Sequence, residues 1–138
     1  MDGLELPFQM RMHVATADQT SLHKHTTASY NSVYYRFTPA TTAPYIFSTC
    51  NTANFDTKII VSTTCEPSQS LLTCNDDGAG CSGYTSTTPA VTLNAGVSYY
   101  VIIGGYGPST PAGSGTITVT QTTAAPTRTP TRAPTRCV

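Results

Sequence analysis

Even-numbered positions from 4 to 14 hold Leu4, Leu6, Phe8, Met10, Met12 and Val14, in strict alternation with Glu5, Pro7, Gln9, Arg11 and His13. A side-chain period of two belongs to a strand with one apolar face, since a helix repeats at about 3.6 residues. The alternation returns in SVYYRFTP, with Val33, Tyr35 and Phe37 on one side, and in PYIFSTC, from Pro44 to Cys50. FDTKIIVST puts Thr57, Ile59 and Val61 on one face. SQSLLTC, PAVTLNAG, VSYYVIIGGY and GTITVTQ complete the series, and Val97, Tyr99, Val101 and Ile103 form the inward set of VSYYVIIGGY. Gly, Pro, Asn and Asp separate the runs. The pattern predicts an all-β fold, an antiparallel two-sheet β-sandwich of jelly-roll-like type with about eight short strands.

Five cysteines in a Thr-, Ser- and Gly-rich chain of 138 residues point to an oxidising compartment, and so to an extracellular or cell-surface protein. Cys50, Cys65, Cys74 and Cys81 cluster, and Cys137 stands apart. The cluster allows three pairings. The expected one joins Cys65 to Cys74 across a hairpin and Cys50 to Cys81 between neighbouring strand ends, each bridge contributing about 2–4 kcal/mol. Cys137 is then a candidate for an intermolecular bridge. A zinc site would need a CxxC pair or nearby histidines, and the cluster has neither.

Residues 1–122 read as the sandwich, including a long first strand at 4–15, and residues 123–138 as an extended Thr/Pro-rich arm. Pro126, Pro130 and Pro134 recur every fourth residue, which favours a polyproline-like segment over helix or central strand. Thr127, Thr129, Thr131 and Thr135 are candidate O-glycosylation sites, and no N-x-Ser/Thr sequon occurs. Charged residues make up 10% of the chain, with a formal net charge of zero. A nucleic-acid partner or an anionic membrane would call for a basic surface, and no apolar run is long enough for a spanning helix.

The motifs SVYYRFTP, YIFSTCN, FDTKIIV, CNDDGAGC, LNAGVSYYVIIGGY and GTITVTQ, in this order, resemble the pre-peptidase C-terminal (PPC) domain family over roughly residues 4 to 121. The resemblance implies a compact β-sandwich without catalytic residues, appended to secreted proteins for secretion, adhesion or substrate binding. The long apolar first strand and the Thr/Pro arm depart from that pattern.

The residues with chemical potential are few. Asn75, Asp76 and Asp77, with the distant Asp56, are candidates either for calcium, which takes oxygens from a flexible loop, or for capping turn amides, with Gly78 and Gly80 at positive φ. Adjacent aspartates point apart on an extended segment and make a poor acid–base pair. His23-Lys24-His25 lies in a polar stretch with no third ligand beside it. Gly104 to Gly115 lacks a Gly-Lys-Ser/Thr ending, and no G-x-S-x-G elbow occurs. An enzyme is not expected. Tyr35 and Tyr99 are expected inward, Tyr34 and Tyr100 outward, and Tyr106 at a loop where it meets a partner.

The reading that follows is a non-catalytic extracellular assembly module. Its partner is itself, in a head-to-tail homo-oligomer or filament carrying covalent O-glycans. The assembly strand is Leu4, Leu6, Phe8, Met10, Met12 and Val14, whose burial is worth on the order of 10 kcal/mol at about 1.5–3 kcal/mol each. The alternative is a matrix- or carbohydrate-binding accessory domain of a secreted hydrolase, with calcium as its one candidate cofactor.

Overall fold

The computed structural model describes residues 10–13, 30–65, 70–111 and 113–123. They form eight strands: β1 (Met10–His13), β2 (Tyr30–Phe37), β3 (Ala43–Ser48), β4 (Thr57–Ser62), β5 (Leu71–Asn75), β6 (Val91–Leu93), β7 (Tyr99–Gly105) and β8 (Ser114–Gln121). One sheet has the order β1-β8-β3-β6 and the other β2-β7-β4-β5. Every pairing is antiparallel. The pairs nest: first with last, second with seventh, third with sixth, fourth with fifth. This is a long hairpin rolled into two layers, the jelly-roll topology.

Period two decides which side chains meet between the layers. Ile59 and Val61 of β4, Tyr99, Val101 and Ile103 of β7, Tyr45 and Phe47 of β3, and Ile117 and Val119 of β8 form the core with Leu93. Val33, Tyr35 and Phe37 pack against it from β2. Phe37 meets Tyr45 and Phe47 edge-on, with ring centroids 5.3 and 5.5 Å apart, which locks the two sheets across their shared interior.

Two features depart from a simple inside–outside alternation. The opposite face of β4 and β7 is also closed at its centre, where Ile60 and Ile102 are 0% and 1% exposed. They pair directly, with Tyr34 and Cys74 in the flanking register positions. Val97, expected inward, is instead 44% exposed. Its N–H closes a turn onto Asn94 O, so β7 begins two residues later and the inward set starts at Tyr99.

Among the described residues β1 stands at an edge of its sheet, beside β8, with Met10 opposite Ile117 and Met12 opposite Gly115. Leu4, Leu6, Phe8 and Val14 of the expected assembly strand lie outside the described residues, as do the histidines at 23 and 25 and residues 124–138 with Cys137 and Thr127, Thr129, Thr131 and Thr135. No helix among the described residues is long and apolar enough to cross a membrane.

Candidate functional site

The β4–β5 hairpin register builds a chemically dense corner of the fold. Ile59 pairs with Asn75 and Ile60 with Cys74, so the next step places Lys58 beside Asp76. Two residues before Lys58, on the same face, stands Asp56. Asp77 follows Asp76 at the turn. Carboxylate oxygens of Asp56, Asp76 and Asp77 all lie within 4.8 Å of one another. Lys58 Nζ is 3.8 Å from Asp76 Oδ2. On the other flank Lys58 pairs with Gly104 of β7, and the Tyr106 ring lies 5.9 Å from Nζ. Tyr106, expected to meet a partner, thus covers the lysine of its own chain while staying exposed.

The charges in this corner are poorly compensated. Asp56 Oδ1 and Asp76 Oδ1 are buried and have no hydrogen-bond partner among the described residues. Burial raises the Asp56 carboxyl above its ordinary value, the charges of Asp76 and Asp77 raise it further, and Lys58 opposes them. Burial likewise raises Asp76, Lys58 pulls it down, and Asp77 adds an upward push.

Asn75, next to Asp76, is occupied by backbone partners. Its side-chain oxygen accepts the Thr87 N–H at 2.9 Å, and its amide donates to Asp77 O at 3.4 Å. It works as a turn cap that holds the 84–88 segment against the hairpin. Calcium prefers about six to eight oxygens. The three carboxylates cover part of that set, and the Lys58 ammonium already supplies positive charge on one side of it.

The corner is clamped from behind. Cys50 and Cys81 form a disulfide, tying the end of β3 to the turn after β5 with a Cα–Cα distance of 5.1 Å. Asn51 Oδ1 accepts from Ser82 N at 2.7 Å and from Ser82 Oγ at 2.6 Å. Thr49, Thr57, Thr85 and Ser86 are fully buried, and Thr49 and Thr57 join hydroxyls at 2.7 Å. The Ser86 hydroxyl reaches the carbonyls of Thr57 and Asp76, linking this plug to the acidic cluster. Gly80 has φ +79°, as a turn glycine should, whereas Gly78 is there for close approach. A Cβ on Gly78 would stand 2.6 Å from Cys81 Sγ and 3.0 Å from Thr87 N.

The second expected bridge does not form: Cys65 is a free, exposed thiol. Cys74 is disulfide-bonded, but not to Cys65. The hairpin register is the reason. Cys74 lies opposite Ile60, in the middle of β4, while Cys65 lies beyond its end.

Sequence reasoning missed Lys58, although Asp56 stands two residues before it with the same parity. It also missed the hydroxyl plug, because TSTT reads as loop. Tyr84 was missed too: its φ is +56°, and it is 68% exposed while its carbonyl accepts the Thr57 N–H. No family model, no curated protein and no solved structure matches the chain.

Proposed function

We propose that this chain is a non-catalytic extracellular module whose work is assembly with copies of itself, through exchange of its first strand. The observation that supports this is the place of β1. Among the described residues it stands at an edge of its sheet, held in register along β8. An edge position of this kind accepts the equivalent strand of a neighbour through the same backbone hydrogen bonds. Passing the strand head to tail gives a heterologous contact that does not close, and so a filament. In this reading residues 123–138 form a Thr/Pro arm carrying O-glycans, and the Cys50–Cys81 bridge fits an oxidising exterior. The ordered PPC-like motifs favour an appended module rather than an enzyme.

A cross-strand cysteine pair tests the exchange. Arg11 and Thr116 are directly opposed, and opposed residues in antiparallel strands lie within disulfide reach. In a Cys65→Ser background, the Arg11→Cys/Thr116→Cys protein is expected to run as a covalent ladder on a non-reducing gel. A bridge confined to single chains would refute strand exchange. Removing residues 1–15 is expected to leave particles that no longer polymerise, as seen by negative-stain microscopy.

The second reading is a matrix- or carbohydrate-binding accessory module. It is favoured by Tyr84 and Tyr106, two exposed aromatic rings that flank the start of β4. Glycan-array binding by the isolated monomer, lost in Tyr84→Ala, would favour it over assembly.

A further inference from the structure

Lys58 is a lysine in an unusual position. Its side chain is 5% exposed, and the carboxylate it faces, Asp76 Oδ2, is 3.8 Å away, longer than a hydrogen bond. A buried ammonium normally gathers several acceptors. This one has a single cross-strand carboxylate and the Tyr106 ring. The Asp56 carboxylate lies on the same face, within 4.8 Å of that of Asp76. Oδ1 of each acid is buried and unpartnered.

We propose that Lys58 and Asp76 condense to an intramolecular amide, cross-linking β4 to the end of β5, with Asp56 relaying the proton. The ammonium first passes a proton to the Asp76 carboxylate, giving a neutral amine and a neutral acid. The Nζ lone pair attacks Asp76 Cγ. The N–C bond forms as the carbonyl π pair moves onto oxygen. Asp56 takes a proton from the nitrogen and returns one to the departing hydroxyl. The C–O bond breaks with its electron pair, and one water leaves. An ammonium and a carboxylate become an amide and water, so atoms and charge balance and no oxidant, reductant or activated co-substrate is required.

The environment favours each step. A low-dielectric site disfavours both charged partners relative to the neutral pair. Burial raises the Asp56 and Asp76 carboxyls from their ordinary values while Lys58 opposes the rise, the direction that proton transfer to Asp76 and a relay through Asp56 call for. Fixed cross-strand placement replaces a bimolecular encounter, an advantage of about 10⁵–10⁸ M in effective concentration for well-oriented groups. The 3.8 Å separation runs from Nζ to Oδ2, and attack requires the lysine side chain to turn so that Nζ comes to roughly 3–3.5 Å from Cγ. The product replaces a buried ammonium and a partly buried carboxylate with one neutral group, whose new N–H can donate to Asp56. The cross-link and the assembly reading stand on separate observations.

Mass spectrometry decides the matter. The full chain, expressed without glycosylation, folded and then reduced, is expected to weigh one water less than its sequence. Its digest should contain a branched peptide joining Lys58 to Asp76. Lys58→Arg and Asp76→Ala should restore the full mass. Asp56→Asn should fold and slow cross-linking at least tenfold, and an unslowed rate overturns the relay. Folded wild type at full sequence mass, with the Cys50–Cys81 bridge in place, overturns the cross-link. So does water loss that persists in Lys58→Arg, which would locate it at a cyclic imide at Asp77-Gly78. So does calcium raising the Tm of a full-mass wild type, since that needs Asp76 ionised and free. If the variants fail to fold, the wild-type digest alone gives the answer.

Discussion

Gly78 shows how a single missing carbon organises the acidic corner. Its N–H donates to Thr85 O at 2.9 Å and its carbonyl accepts from Cys81 N at 3.0 Å, so the loop passes close to its own neighbours. Gly78→Ala places a methyl against Cys81 Sγ and two backbone atoms, and should destabilise the fold by about 1–3 kcal/mol in urea titrations. Thr57→Val should cost a similar amount, about 1–3 kcal/mol, because the buried Thr49 hydroxyl loses its 2.7 Å partner without gaining water. Asp56 carries a pH signature. Its folded-state carboxyl is raised, chiefly by burial, so the folded protein holds that proton more tightly than the unfolded chain. The stabilisation is complete below the unfolded value and is lost as pH rises through the folded one. The Tm of wild type relative to Asp56→Asn should therefore fall as pH is raised from the ordinary carboxylate range towards neutrality. A flat difference across that range would contradict the burial of this carboxyl.

Strands of this fold were legible to different depths. Among the described residues the runs with period-two alternation became strands, because alternation is a property of the strand alone. Faces within a strand followed, as at Ile59 and Val61 of β4 and at Tyr99, Val101 and Ile103 of β7. What one strand does to the next was not legible. The β4–β5 register put Cys74 opposite Ile60, leaving Cys65 free, and brought Lys58 to Asp76. A shift of one residue would have undone both. The β2–β7 ladder likewise carries an irregularity between Tyr30 and Val33, where Asn31 has φ +52°, and nothing in SVYYRFTP announces it. Ile60 gives a test at this scale. It points away from the inter-sheet core, yet it is fully buried, so Ile60→Ala should cost about 2–5 kcal/mol, as in a core. A cost under about 1 kcal/mol, the range for surface substitutions, would show that this face is open.

The whole molecule is a rolled hairpin whose outermost pair is β1 with β8. The assembly proposal rests on that pairing, and so belongs to the topology rather than to any residue. The Cys50–Cys81 bridge acts on the same scale. It spans a sequence separation of 31 and constrains the unfolded chain. Its loss in a Cys50→Ala/Cys81→Ala variant should lower stability by about 3–4 kcal/mol, read from denaturant midpoints. A much smaller loss would mean that the hydroxyl plug and Asn51 hold the corner without it.

The sequence by itself determined the layers: eight alternating runs, apolar on one side and broken by turn residues, can bury their apolar sides only face to face. It left three pairings open for the clustered cysteines, of which the fold forms the expected Cys50–Cys81 bridge and not Cys65–Cys74. Tertiary structure alone decided the register between neighbouring strands. Register comes from the sum of many packing contacts and turn geometries, none of which is written in a local period. On it depend the free Cys65, the close approach at Gly78 and the meeting of Lys58, Asp56 and Asp76.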